Sequence, residues 1–195
     1  MRHTLARTVS IVGHPLCVVP IASVVAMASH GSRSRVVWVA ALFFFSLSLA
    51  VLTFAWWQVR SGRWQHMDAS RVGERRSLNY FLALLLFTAA LISFRQSHPV
   101  GLTLGLFISG VLAVLALLFS AWVKVSLHVA FSVYSTALLW YSGLWFVAIG
   151  LCVATAVAWS RLELRRHAVI DVWLGGLFGG VAGLLFWVLL FYRIG

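Results

Sequence analysis

Acidic residues are nearly missing from this chain: 195 residues carry 4 Asp+Glu against 15 Lys+Arg, and charged side chains make up only 10%. An ordinary soluble domain has roughly 25%. With 62% hydrophobic residues, too little polar surface remains to clothe a water-soluble globule, so a cytosolic enzyme is excluded. Proline occurs three times and the 15 glycines are scattered, which excludes collagen-like, Pro-rich linker and disordered readings. The two cysteines, Cys17 and Cys152, sit inside apolar runs with no metal-ligand spacing. Both are expected to be small buried hydrophobes.

What is present is apolar length. Runs cover about 9–29, 36–59, 78–94, 100–122, 129–159 and 168–192. A spanning helix needs about 20 residues to cross about 30 Å of hydrocarbon, and five of these runs fit one crossing each. The 31 residues of 129–159 would reach roughly 46 Å as one helix. Trp140-Tyr141-Ser142-Gly143 offers a turn with interfacial aromatics in its middle, which predicts two short helices near 129–141 and 144–159. The expected fold is all-α, a polytopic transmembrane helix bundle of about 6–7 membrane-spanning helices, forming a single integral-membrane domain over 1–195. The basic N-terminus resembles a signal peptide, but no small-residue cleavage site follows, and Arg33 and Arg35 fit a helix–loop–helix join.

The formal charge is +11 with His neutral. The arginines fall in the short breaks between apolar runs, so their expected partners are lipid headgroups of the bilayer and not nucleic acid. With the hairpin at 140–143, the clusters at 60–77, 124–128 and 160–167 all fall on one membrane face. The positive-inside rule makes that face cytoplasmic, although arginines kept there for chemistry would produce the same bias.

The cluster Ser160-Arg161-Leu162-Glu163-Leu164-Arg165-Arg166-His167-Ala168-Val169-Ile170-Asp171 carries the sharpest signal. His167 and Asp171 stand four apart and share a helix face. A carboxylate there can take the proton of one imidazole nitrogen and leave the other free as a nucleophile, the orienting logic of a catalytic triad. Arg161 can clamp a phosphate with its planar fork. Lys124-Val125-Ser126-Leu127-His128 supplies an ammonium, a hydroxyl and backbone N–H groups at a helix start, where an anion is favoured. His128, at the membrane edge, is placed to act as a general acid. The loop 63–76 adds guanidinium groups, partly balanced by Asp68 and Glu74.

The pattern at 160–171, with Ser126 and His128 before it and an Arg-rich loop earlier still, resembles the type 2 phosphatidic acid phosphatase (PAP2) superfamily, in particular its small bacterial membrane members. The resemblance covers about 60–192. It implies a multi-pass protein of the bacterial cell (inner) membrane that needs no cofactor. Its reaction would be metal-independent hydrolysis of a phosphate monoester or diphosphate of a phospholipid or polyprenyl lipid through a phosphohistidine. His167 would be the nucleophile, Asp171 its orienting partner and His128 the acid for the leaving alkoxide. Arg161, Ser126 and the Leu127 N–H would hold the phosphoryl oxygens.

Two motifs depart from the family. Val125 and Leu127 replace the proline and glycine of Pro-Ser-Gly-His. In the first motif, Asp68 and Ala69 stand seven residues before Arg75 and Arg76 where the family has lysine, and no proline follows. The lysine's part falls to Arg71 or Lys124, and Arg76 is taken ahead of Arg75 as the motif's arginine. These departures keep two alternatives open: a lipid phosphotransferase using the same site, and a non-catalytic protein binding anionic lipids. Elsewhere, His14 beside Pro15 reads as a kink with a polar contact, and Arg165 and Arg166 read as headgroup anchors. His3, His30, His66 and His98 show no metal-ligand spacing, so no metal site is expected.

Overall fold

In the computed structural model, which describes residues 1–29, 31–69 and 71–194, the regular structure is helical throughout. The elements are α1 (Arg2–Val12), α2 (Pro15–Ser29), α3 (Ser34–Arg60), α4 (Val72–Arg95), α5 (Val100–Phe119), α6 (Leu127–Leu138), a 3₁₀ turn (Leu139–Ser142), α7 (Leu144–Glu163) and α8 (Val169–Ile194). His30 and the side chain of Arg193 lie outside the described residues. Among those described, five helices are long and apolar enough to cross a membrane, and a sixth span arises if the bent pair α1–α2 is counted as one. The chain is therefore a multi-pass, all-α membrane protein.

The outer faces show lipid replacing a second protein layer. On α8, Asp171, Gly175, Gly179, Ala182 and Phe186 are buried, whereas Trp173, Leu177, Val181, Leu184 and Val188 are exposed. Apart from Phe186, small residues face protein and large apolar ones face outward, the arrangement expected when hydrocarbon is the solvent. Cys17 and Cys152 are exposed, which corrects their expected burial. An exposed thiol inside an apolar helix meets lipid tails as comfortably as it would meet a core.

Two runs depart from simple crossings. The 129–159 run is a hairpin, with α6 of 12 residues, the 3₁₀ turn, and Gly143 at φ 118° and ψ 157° before α7. Only glycine adopts that backbone region without strain. The 9–29 run, expected as one crossing, is instead broken at Gly13 and His14, where α1 and α2 meet at a 50° bend. Pro15 opens α2, as proline suits a first helical turn.

The chain packs as two compact units, Met1–Leu42 with Lys124–Gly195, and Phe43–Val123. In the first, α6 is the central element, packed on α2, α7 and α8, while α1 lies on α7. A methyl group at Gly175 would stand 2.6 Å from the Ser126 carbonyl oxygen, and one at Gly179 or Gly183 would collide with Ala130 or Ala137. The glycine file of α8 thus lets its backbone approach α6 closely, as small-residue stripes do in membranes.

In the second unit, α4 packs along α5, with a Ser93–Thr103 hydroxyl bond of 2.7 Å between them. Its loop is organised by the buried Glu74 carboxylate, which accepts the N–H of Gln65 at 2.9 Å and of Arg71 at 3.0 Å. That carboxylate caps α4, and the helix starts at Val72, ahead of the apolar run. Trp64 is buried edge-on against Phe54, which stacks on Phe81 at 4.0 Å.

Candidate functional site

The end of α7 sets the site's backbone. Arg166 N–H donates to the Arg161 carbonyl at 3.1 Å and Arg165 N–H to the Leu162 carbonyl at 2.9 Å, the paired bonds of a Schellman motif. The residue in the left-handed position is Arg165, at φ 51°, where glycine is usual. The reversal sends Arg166 and His167 back across the start of α6, and α8 begins at Val169.

Three bonds tie this segment to the Lys124–Ser126 stretch. Lys124 Nζ donates to the Arg166 carbonyl at 2.6 Å. Ser126 N–H donates to the Asp171 carbonyl at 3.1 Å. His167 Nδ1 lies 3.1 Å from the Lys124 carbonyl oxygen. A carbonyl only accepts, so Nδ1 carries the hydrogen and Nε2 keeps its lone pair. Asp171 Oδ2 stands 3.5 Å from the same Nδ1 and accepts the Ala168 N–H at 2.9 Å. The sequence points to Asp171 as the orienting acceptor. In the structure the Lys124 carbonyl takes the shorter contact, and Asp171 contributes charge and caps α8.

His167 is largely buried, and its pKa falls from the ordinary 6.5 to about 4. Burial is the largest cause, followed by the positive charges of Arg161 and Lys124; the Lys124 carbonyl and Asp171 pull the other way. The imidazole is therefore neutral at neutral pH. Arg166 is also pushed down, by burial and then by Arg7, so α1 brings a further cation near. His167 and Asp171, with Lys124, Arg165 and Arg166, line an open hollow of ≈ 520 Å³. Arg165 and Arg166, read from sequence as headgroup anchors, therefore form part of its wall.

Arg161 is buried at 4% exposure and its Nη1 donates to Ser10 Oγ at 2.9 Å. Ser126 is fully buried, and its Oγ and His128 Nε2 are buried without a hydrogen-bond partner among the described residues. Leu127 and His128 open α6, where the first N–H groups have no partner within the helix. Arg161, His14 and His167 are the charged or chargeable neighbours of His128.

Two residues at this site were not anticipated as members. Ser10 and His14 come from α1 and the α1–α2 break. The ring of His14 stands edge-to-face on that of His128, with centroids 4.7 Å apart. The Gly13-His14-Pro15 sequence signals the kink, but nothing local signals its partner. Arg71, Arg75 and Arg76 belong to the second unit, where Arg76 Nε donates to Ser120 Oγ at 3.1 Å. Among the described residues, no group of three or more His, Cys, Asp or Glu side chains could hold a metal ion. Comparison of the chain with protein-family models, with curated proteins and with solved structures finds no match.

Proposed function

We propose that the chain is a membrane lipid phosphatase that hydrolyses a phosphate monoester or diphosphate of a lipid through a phosphohistidine on His167, independently of metal. One observation carries this reading: Nδ1 of His167 is held by a backbone carbonyl beside Asp171, within a cluster of cations and unpartnered donors at the start of α6. Nε2 of His167, bearing the lone pair, attacks phosphorus. The P–Nε2 bond forms as the P–O bond to the leaving group breaks, and a proton from His128 goes to the departing oxygen, an alkoxide from a monoester or a lipid phosphate from a diphosphate. Water then gives a proton to His128 and attacks phosphorus, the P–N bond breaks, and phosphate leaves.

Arg161, Lys124, Ser126 Oγ and the Leu127 N–H would neutralise the charge on the phosphoryl oxygens, where fixed donors are most effective. The hollow between Lys124 and the α7–α8 link suits a headgroup whose tail stays in the bilayer. In this reading the protein belongs to the bacterial cell membrane and resembles the PAP2 superfamily in mechanism.

The test is hydrolysis of phosphatidic acid and of a polyprenyl diphosphate by detergent-purified protein. Activity is expected to persist in EDTA, to fall with vanadate, and to vanish in His167→Ala. Full activity in His167→Ala overturns the mechanism. Binding of anionic lipid, unchanged in that variant and without turnover of any phosphate ester, would select the non-catalytic alternative.

A further inference from the structure

We propose that His14 is a positioning residue of this site: its tethered imidazole sets the plane of the His128 ring, so that the proton His128 delivers meets the leaving oxygen. The inference rests on the phosphohistidine reading and adds to it a residue from outside the three motifs.

A histidine ring turns broadly about its terminal torsion, so an acid at a helix start needs something to hold its plane. Hydrogen bonding at Nε2 does not do so for His128, because that buried atom has no partner among the described residues. The edge-to-face contact with His14 is the ring contact that His128 makes. His14 in turn is held from its own side, because its Nδ1 accepts the Leu16 N–H at 3.2 Å. That bond assigns hydrogen to Nε2 of a neutral His14.

The backbone holds His14 equally firmly. Gly13 lies so close to Val157 of α7 that a methyl group there would collide with it. Pro15 starts α2, which packs on α6. The break between α1 and α2 thus delivers one rigid imidazole to the side of another. The charged and chargeable groups facing His128 are Arg161 from α7, His167 from the α7–α8 link and His14 itself.

A leaving-group comparison tests this. An acid matters for an alkoxide and hardly at all for a stable phenolate. The full chain in detergent is assayed on two matched esters, p-nitrobenzyl phosphate and p-nitrophenyl phosphate, reading kcat/KM for the step in which the alcohol departs. His14→Ala is expected to lose about 10- to 100-fold on the benzyl ester, at or below the lower end of the roughly 10²- to 10⁴-fold that a general acid contributes, because the acid is misplaced and not removed, and less than about 3-fold on the phenyl ester. His14→Phe, which keeps an aromatic edge, should recover most of the benzyl activity. Should His14→Ala not fold, His14→Asn, which retains an acceptor for Leu16, gives the same comparison.

Equal losses on both esters in His14→Ala, or no recovery of the benzyl activity in His14→Phe, overturn the positioning role. His128→Gln separates the two levels of inference. If it shows the selective loss while His14→Ala does not, only this proposal fails. If His128→Gln is itself unselective, the acid role fails and this proposal goes with it.

Discussion

The backbone N–H of Ser126 donates to the backbone carbonyl of Asp171 at 3.1 Å. One bond thus joins the residue before α6 to the first turn of α8, and it holds the N-terminal end of one helix beside that of the other, next to His167. The approach is possible because Gly175 lacks a side chain where the Ser126 carbonyl passes. Gly175→Ala should push the two helix starts apart, costing about 1–3 kcal/mol as overpacking does and lowering turnover more than ten-fold (roughly 1.4 kcal/mol of barrier). Gly176→Ala, which has open space around its added methyl, should match wild type in both. Thermal unfolding in detergent and hydrolysis of one lipid phosphate check the pair.

Asp171 has two separable tasks. Its Oδ2 accepts the Ala168 N–H, a capping bond, and its charge lies 3.5 Å from His167 Nδ1. Asp171→Asn keeps an acceptor oxygen and removes the charge, so its stability should stay near wild type. Its kcat should fall about 10²-fold, less than the roughly 10⁴-fold loss of a triad whose carboxylate alone fixes the tautomer, because the Lys124 carbonyl still holds Nδ1–H. Asp171→Ala loses the cap as well, at a further cost of about 1 kcal/mol. Equal stability of the two variants would show that the carboxylate does not cap α8.

How much of this was legible follows from where each signal lies. The hairpin at Gly143 was readable because Trp140 through Gly143 combine interfacial aromatics with turn residues. The nearness of His167 and Asp171 was readable because a four-residue spacing is local, but the expected shared helix face is not observed. His167 lies in the link before α8, which begins at Val169, and the two meet because Asp171 turns back to cap that helix. Apolar runs placed the helix cores but missed the start of α4 at Val72, since Glu74, Arg75 and Arg76 are helical yet polar, and hydropathy does not register a cap. Ser10 with Arg161 and His14 with His128 were invisible as pairs, because contacts between distant segments leave no spacing to read. The Lys124 carbonyl escaped for another reason: backbone acceptors have no residue type.

The pH response follows from the environment of His167. Its pKa is about 4 instead of 6.5, chiefly through burial and then through Arg161 and Lys124. In the proposed mechanism His167 attacks as a neutral imidazole, so between pH 7 and 5 its ionisation should leave kcat/KM unaffected, with an acid limb centred near pH 4. Lys124→Met removes one positive neighbour but keeps the carbonyl bond, and the limb should move upward. Comparing both proteins on the same ester cancels the substrate's own ionisation near pH ~6. Linkage adds a stability effect of fixed sign. The unfolded imidazole takes a proton below 6.5 and the folded one only near 4, so this contribution is full above 6.5 and is lost as pH falls through that window. An acid limb that stays near pH 6.5 in both proteins would contradict the assignment.

Arg165 offers a separation of stability from binding. It occupies the left-handed position of the Schellman turn at φ 51°, where a residue with a Cβ loses about 1–2 kcal/mol. Glycine relieves that strain but gives back about 0.5–1 kcal/mol through its freer unfolded chain. Arg165→Gly should therefore be more stable by about 0.5–1 kcal/mol, visible as a raised Tm in detergent. The same substitution removes a cation from the wall of the hollow. KM for an anionic lipid phosphate should rise by about 2- to 5-fold, the worth of one partly exposed ionic contact, with kcat unchanged because the proposed mechanism gives Arg165 no part in the bond-breaking steps. Arg165→Lys, which keeps both charge and strained backbone, should alter neither Tm nor KM appreciably. A Gly variant that is no more stable would mean that the turn is held from outside, by contacts of the Arg165 side chain that outweigh the strain of its backbone.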